Sequence, residues 1–153
     1  MSDIKRFRLS DNFLNLILNN YFGTPELEYE DTTIYIGLGI DFDESTFTFS
    51  KEPVSKGFTI NNTPCEFSEP VNGVIRNTNA LEWARAEEDW TANGETIKYL
   101  GLYYRKPVSS LISTINFEYE LIGVLPLVPE ETIKEGEKMV LNPNSIQIKL
   151  SNR

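Results

Sequence analysis

The residues with the most chemical potential lie in four short stretches. In Asp41-Phe42-Asp43-Glu44-Ser45, oxygen ligands at alternate positions have the spacing with which calcium loops begin. The glycine turn and distal glutamate that complete an EF-hand loop are missing from the required positions, so a solvated acidic loop is the better reading. The run Ala86-Glu87-Glu88-Asp89 offers adjacent carboxylates, and like charges in contact raise one another's pKa values as acid–base catalysis requires. Neighbours along one strand or turn point in alternating directions, however, so the run reads as a solvated edge that discourages strand-to-strand aggregation. Cys65 is the single cysteine, in Thr63-Pro64-Cys65-Glu66-Phe67, and it can form neither an intrachain disulfide nor a thiolate cluster. The chain has no histidine, which removes the commonest general base, triad orienter and metal ligand. Without such a partner Cys65 reads as a small buried hydrophobe. Finally, Trp83, Trp90, Tyr99, Tyr103 and Tyr104 could stack on sugars, although such residues more often fill a core or an interface. No phosphate loop, dinucleotide glycine fingerprint or nucleophile elbow is present. The expectation is a protein that is not an enzyme and uses no cofactor and no metal.

These residues belong to a chain of 153 residues, the size of one domain (1–153) with a substantial core. A hydrophobic content of 40% is too high for intrinsic disorder. The net charge of −9 disfavours nucleic acid and anionic membrane as partners, because both need a positive counter-surface. The densest basic cluster, Lys5-Arg6-Phe7-Arg8, is short. The opening MSDIKRFRLSDN has charges where a signal peptide is apolar, and the longest apolar runs are too short to cross a bilayer, so a soluble chain is expected.

The elements that must position the residues fall into two parts. Residues 1–24 form a helical segment: Ser10 is a good N-cap between Leu9 and Leu14, which are spaced as a hydrophobic staple. Phe13, Leu16, Ile17 and Tyr21 follow at helical spacing, with Leu14 and Leu18 widening the stripe, and Gly23 and Pro25 end the helix. From residue 31 to 150 the period changes to two. Ile34, Ile36, Leu38 and Ile40 share one face of a strand, and a short strand is expected at Thr46–Phe49. The stretch from Glu52 to Asn79 is rich in loops, punctuated by Pro53, Gly57, Pro64, Pro70 and Asn72-Gly73. Further strands are expected over Ala80–Ala86, Thr96–Arg105 and Asn116–Leu127, the last ended by Pro126 and Pro129. Lys138–Leu141 and Ser145–Leu150 read as a closing hairpin around Asn142-Pro143-Asn144. The pattern predicts a mainly β fold, an antiparallel β-sandwich or barrel-like sandwich, with one N-terminal amphipathic helix.

Three of the strands share a phrase in which glycine stands between two aliphatic residues: Ile36-Gly37-Leu38, Leu100-Gly101-Leu102 and Ile122-Gly123-Val124. A glycine inside a strand weakens it but makes room for a helix, a bulge or a large ring to approach the backbone.

The order of these phrases resembles a set of small tailed-bacteriophage virion proteins described as tail fibre or minor tail proteins. The resemblance runs through the helix Leu9–Gly23, the strand Ile34-Tyr35-Ile36-Gly37-Leu38, and Trp90 leading into Leu100-Gly101-Leu102-Tyr103. It continues through Val124-Leu125-Pro126-Leu127 and the turn Thr132-Ile133-Lys134-Glu135-Gly136-Glu137 into the last strands. One departure is Arg105-Lys106-Pro107-Val108-Ser109-Ser110, where the family commonly has an Asp-Ala-x-x-Gly-Gly turn. The resemblance implies a structural part of a phage particle, located in the virion after assembly in the host cytoplasm. Its partners would be other virion proteins and, since virion parts are repeated, copies of itself as a homo-oligomer. Interface contributions are expected from Phe13, Ile17 and Tyr21 on the helix and from Lys106, Pro107, Ser109 and Ser110 in the divergent loop. A component of the tail tip, baseplate or fibre attachment is the leading reading. A capsid decoration or head-fibre protein is the alternative within the particle, and a carbohydrate-binding module that reads the host surface is a third. The third requires the tryptophans and tyrosines to be exposed. A hydrolase with paired carboxylates would need two acids converging in a cleft.

Overall fold

The structure, a computed structural model, describes residues 6–15, 33–54, 59–108 and 116–149, with the backbone alone at 106–108 and 116–117. Among these residues the chain forms strands β1 (Arg8–Leu9), β2 (Ile34–Gly39), β3 (Asp41–Asp43), β4 (Thr48–Lys51) and β5 (Val74–Arg76). β6 (Leu81–Glu82), β7 (Ile97–Val108), β8 (Asn116–Glu131), β9 (Val140–Leu141) and β10 (Gln147–Lys149) follow. The fold is mainly β and every strand pair is antiparallel. β1-β8-β7-β2 make a four-stranded sheet, and β10-β5, β3-β4 and β6-β9 make three two-stranded ladders.

The central sheet is buried on both faces, so its strands are apolar almost throughout. One face carries Ile36 opposite Leu102 and Leu38 opposite Leu100. It packs against residues from the second half of the chain, including Leu81, Trp83, Trp90, Met139 and Ile146. The other face carries Tyr35 opposite Tyr103 and Gly37 opposite Gly101, and is covered by Phe42, Phe47 and Phe49 of the β3–β4 hairpin. A β-carbon built at Gly37 would stand 2.6 Å from Tyr103 Cε2, and one at Gly101 2.7 Å from Phe49 Cε2. The glycines are therefore a floor on which aromatic rings lie, the close approach that strand glycines permit. Gly123 plays the same part for the Phe7 ring on the opposite face.

The start of the N-terminal helix has the expected cap. Ser10 is buried, its Oγ accepts the Phe13 N–H at 3.1 Å, and its carbonyl accepts the Leu14 N–H at 3.0 Å. Residues 11–15 are helical, and the remainder of the predicted helix lies outside the described residues.

Four local expectations are corrected. The strand expected at Thr46 begins at Thr48, because Phe47 adopts a positive φ of 52° and still belongs to the turn. The strand expected over Ala80–Ala86 pairs regularly only at Leu81–Glu82, after which single bonds from Trp83 N–H to Met139 O and from Ala86 N–H to Glu137 O hold the chain. Pro126 and Pro129 do not end β8. They sit where the register jumps from Tyr99↔Pro126 to Ile97↔Glu131, and the strand resumes beyond a stretch in which proline cannot donate to the ladder. The closing hairpin does not form either: β9 pairs with β6 and β10 with β5. The turn between them is held by the fully buried Asn77, whose Nδ2 donates to the carbonyls of Asn79 and Asn142, both at 3.0 Å. Its Oδ1 accepts the Ile146 N–H at 2.8 Å.

Candidate functional site

The acidic loop at Asp41–Ser45 is occupied by its own contacts. Ser45 donates its hydroxyl at 2.7 Å and its backbone N–H at 2.9 Å to the Asp43 carboxylate, and these bonds hold that carboxyl below its usual range. Glu44 pairs with Arg8, while Phe42 points between the two aspartates into the ring layer. No group of acids, cysteine or histidine among the described residues is arranged to hold a metal ion.

Glu87, Glu88 and Asp89 are all exposed. Asp89 accepts the Glu135 N–H at 2.9 Å and lies 3.8 Å from Lys134 Nζ, so it tethers one turn to the next. Cys65 is buried, and burial pushes its thiol up to about 12. Its N–H donates to Ile34 O at 2.8 Å, which makes it part of the covering of the β2 edge. The aromatic platform is absent: Trp83, Trp90, Tyr99, Tyr103 and Tyr104 are each no more than 7% exposed. Trp83 Nε1 is itself satisfied by Thr59 O at 2.9 Å. These five rings are core residues, and none is available for stacking on a sugar.

The residues expected at an interface are placed differently. Phe13 is half-buried against the chain's own core, with its ring 6.2 Å from that of Tyr104. Ile17, Tyr21, Ser109 and Ser110 lie outside the described residues. Lys106 and Pro107 fall at the far end of β7, in register with Glu118 and Phe117 of β8. This end of the β7–β8 hairpin has a distinct geometry. β2 pairs with β7 no further than Tyr104, and β1 pairs with β8 only at Gly123 and Val124. Residues 105–108 and 116–119 thus continue as a two-stranded ribbon, with no third strand beside them among the described residues.

A further feature has no counterpart in the sequence reading. Beside β8, a groove of about 530 Å³ runs between the N-terminal stretch, residues 125–131, and the region of β9 and β10. Its floor is apolar, with Phe7, Leu125, Leu127, Met139 and Leu141. Val128, 83% exposed, and Val140, 39% exposed, extend the apolar surface to its margin. Arg6, Lys149 and Glu131 supply the charges at its rim. The groove collects residues from widely separated segments, so no local signal in the sequence marks it.

Comparison with models of protein families, with curated proteins and with solved structures finds no match to this chain. Among the described residues no helix is long and apolar enough to cross a membrane.

Proposed function

We propose that this chain is a structural protein of a tailed-bacteriophage particle, a component of the tail tip, baseplate or fibre-attachment region that acts by assembly. In this reading the central sheet and the ladders β6–β9 and β10–β5 form the two layers of a β-sandwich around the larger core. The protein works as a homo-oligomer bound to other virion proteins, carries out no catalysis, and engages neither nucleic acid nor membrane. The observation that carries the reading is the β7–β8 ribbon, which extends the central sheet past its neighbours at the place where the sequence departs from the family it resembles. A two-stranded ribbon alone is marginal in water and gains stability by packing on something else. The burial of the aromatic residues also favours a building part over a glycan reader. The test is to separate heads and tails of purified particles and probe each for this chain. Recovery with tails supports the proposal, recovery with heads moves it to capsid decoration, and absence from both defeats it.

A further inference from the structure

We propose that Asn93-Gly94 is a site at which the folded chain modifies itself, with loss of ammonia from the Asn93 side chain, whereas the fold protects the same dipeptide at Asn72-Gly73. Both pairs sit at exposed turn tips, and a β-carbon built on either glycine meets nothing within 4 Å. Neither glycine N–H is engaged in a hydrogen bond among the described residues, so each nitrogen is open to reaction. In the reaction the glycine nitrogen gives its proton to water and attacks Cγ of the asparagine. The new C–N bond forms, the Cγ–Nδ2 bond breaks, and the departing nitrogen takes back a proton from water to leave as ammonia. A five-membered succinimide remains. Water then opens the ring at Cγ to give aspartate, or at the backbone carbonyl carbon to give isoaspartate. No oxidant or reductant takes part.

The two turns hold the reacting atoms differently. Ring closure needs the glycine nitrogen to eclipse Cβ, which at an L-residue means a ψ of about −120°, past the extended end of the broad β region. At the first site the Glu95 N–H donates to Ala92 O at 2.9 Å, Asn93 keeps a negative φ, and Gly94 has a φ of 86°. These are the marks of a type II turn, with a ψ of about +120° at Asn93. From there ψ swings through the extended region, which is sterically open to a residue with negative φ, and one backbone bond across the turn is broken. At the second site Asn72 has a φ of 52° and Gly73 a φ of 76°, while Val71 and Val74 each donate an N–H to the other's carbonyl at 3.0 Å. This is a type I′ turn, with a ψ of about +30° at Asn72. The left-handed region is small and walled by steric clashes, so Asn72 reaches the reactive geometry only by leaving it and breaking both bonds. Isoaspartate at position 93 lengthens the backbone of the turn that leads into β7, and either product adds a carboxylate to a chain already at −9.

Peptide mapping by mass spectrometry tests the assignment on the full chain, incubated at mildly alkaline pH either folded or in denaturant. An isoaspartyl methyltransferase marks the isoaspartate formed at each position. In denaturant the two asparagines are expected to convert at similar rates, because each precedes a glycine. In the folded chain Asn93 is expected to convert faster than Asn72 by about tenfold or more, the ratio that a barrier difference of about 1.4 kcal/mol produces. Equal rates in the folded chain, or faster conversion at Asn72, overturn the proposal. Asn93 that stays intact in the folded chain while the denatured chain converts it overturns the proposal as well.

Discussion

Gly37 of β2 lies directly opposite Gly101 of β7, and Cε2 of Tyr103 passes over both. The Phe49 ring covers Gly101 from the other side and reaches across to Gly39, where it stacks against Tyr99 at an interplanar angle of 16°. Two rings thus lie flat on three glycines, and the smaller of the two cores depends on the missing side chains.

A methyl group placed on this floor must displace a ring. Gly101→Ala would bring its Cβ to 2.7 Å from both Leu121 Cδ1 and Phe49 Cε2. Overpacking of this kind costs about 1–3 kcal/mol. Thermal denaturation should register it as a fall in Tm of roughly 2–4 °C per kcal/mol for a domain of this size. Gly37→Ala should cost a similar amount, but less in a Tyr103→Leu background, because the clash at Gly37 is mainly with that ring. Equal costs in the two backgrounds would remove Tyr103 from this account.

Asn77 is the residue on which the C-terminal strands depend. Asn77→Ala leaves the buried N–H of Ile146 without its partner, and the partly buried bonds to the carbonyls of Asn79 and Asn142 are lost with it. A loss of about 2–3 kcal/mol is expected, since a buried polar group left unpaired costs on the order of 1–3 kcal/mol and the partly buried bonds add less. Hydrogen exchange locates the effect: the Ile146 amide should lose protection first. Full protection in a stable variant would show that backbone pairing alone fixes β10.

The unequal legibility of these features has a physical basis. The glycine strands and the Ser10 cap were readable because their signals are local: alternation with period two, and a capping side chain three residues from its donor. The pairing of β9 and β10 was not, because proximity in sequence suggested a hairpin while the bonds of Asn77 come from 65 and 69 residues away. The groove was hidden for the same reason, as Arg6, Val128 and Lys149 meet only through the fold. The solvated loop expected over Asp41–Ser45 is a strand as far as Asp43, because Phe42 is buried between the aspartates, and only the turn that supplies Ser45 to Asp43 follows it.

Burial of Cys65 has a consequence at alkaline pH. The folded thiol is pushed up to about 12 from an ordinary value near 9, with desolvation as the main cause. Between these values the unfolded chain loses the proton and the folded chain keeps it, so the folded state binds more protons and stability falls as pH rises. The contribution is intact below about pH 9. Tyr103, raised by burial in the same way, adds to the loss at higher pH. Cys65→Ala should therefore show a shallower decline in denaturation midpoint from pH 9 to 11 than the wild type. Identical slopes would indicate that the thiol ionises in the folded protein, and a thiol reagent would then react with the native chain.

Asp43 gives the opposite sign at acid pH. Its carboxyl is lowered first by the Ser45 hydroxyl and then by the Ser45 backbone N–H, so its contribution is present above the unfolded value of 3.8 and lost as pH falls through the folded value. The side chain is exposed, and the effect is expected to be small. Ser45→Ala should reduce the acid dependence between about pH 4 and 2 without altering stability at high pH beyond the lost hydroxyl bond. Calcium added to the wild type should leave the melting curve unchanged. A calcium-dependent rise in Tm would mean that Asp41 and Asp43 converge on a cation after all.

The ribbon separates folding from assembly. Lys106 and Glu118 are register partners, so replacing residues 107–117 by Asn-Gly would join them through a tight two-residue turn of the kind that matches strand twist. The residues removed lie beyond the last pair between β2 and β7, at Tyr104. The shortened chain should consequently melt within a few degrees of the wild type, as expected for changes away from packed features. It should nevertheless fail to enter particles when it is the only copy supplied during infection. Incorporation at the wild-type level would remove the ribbon from assembly and leave the groove beside β8 as the surface to pursue.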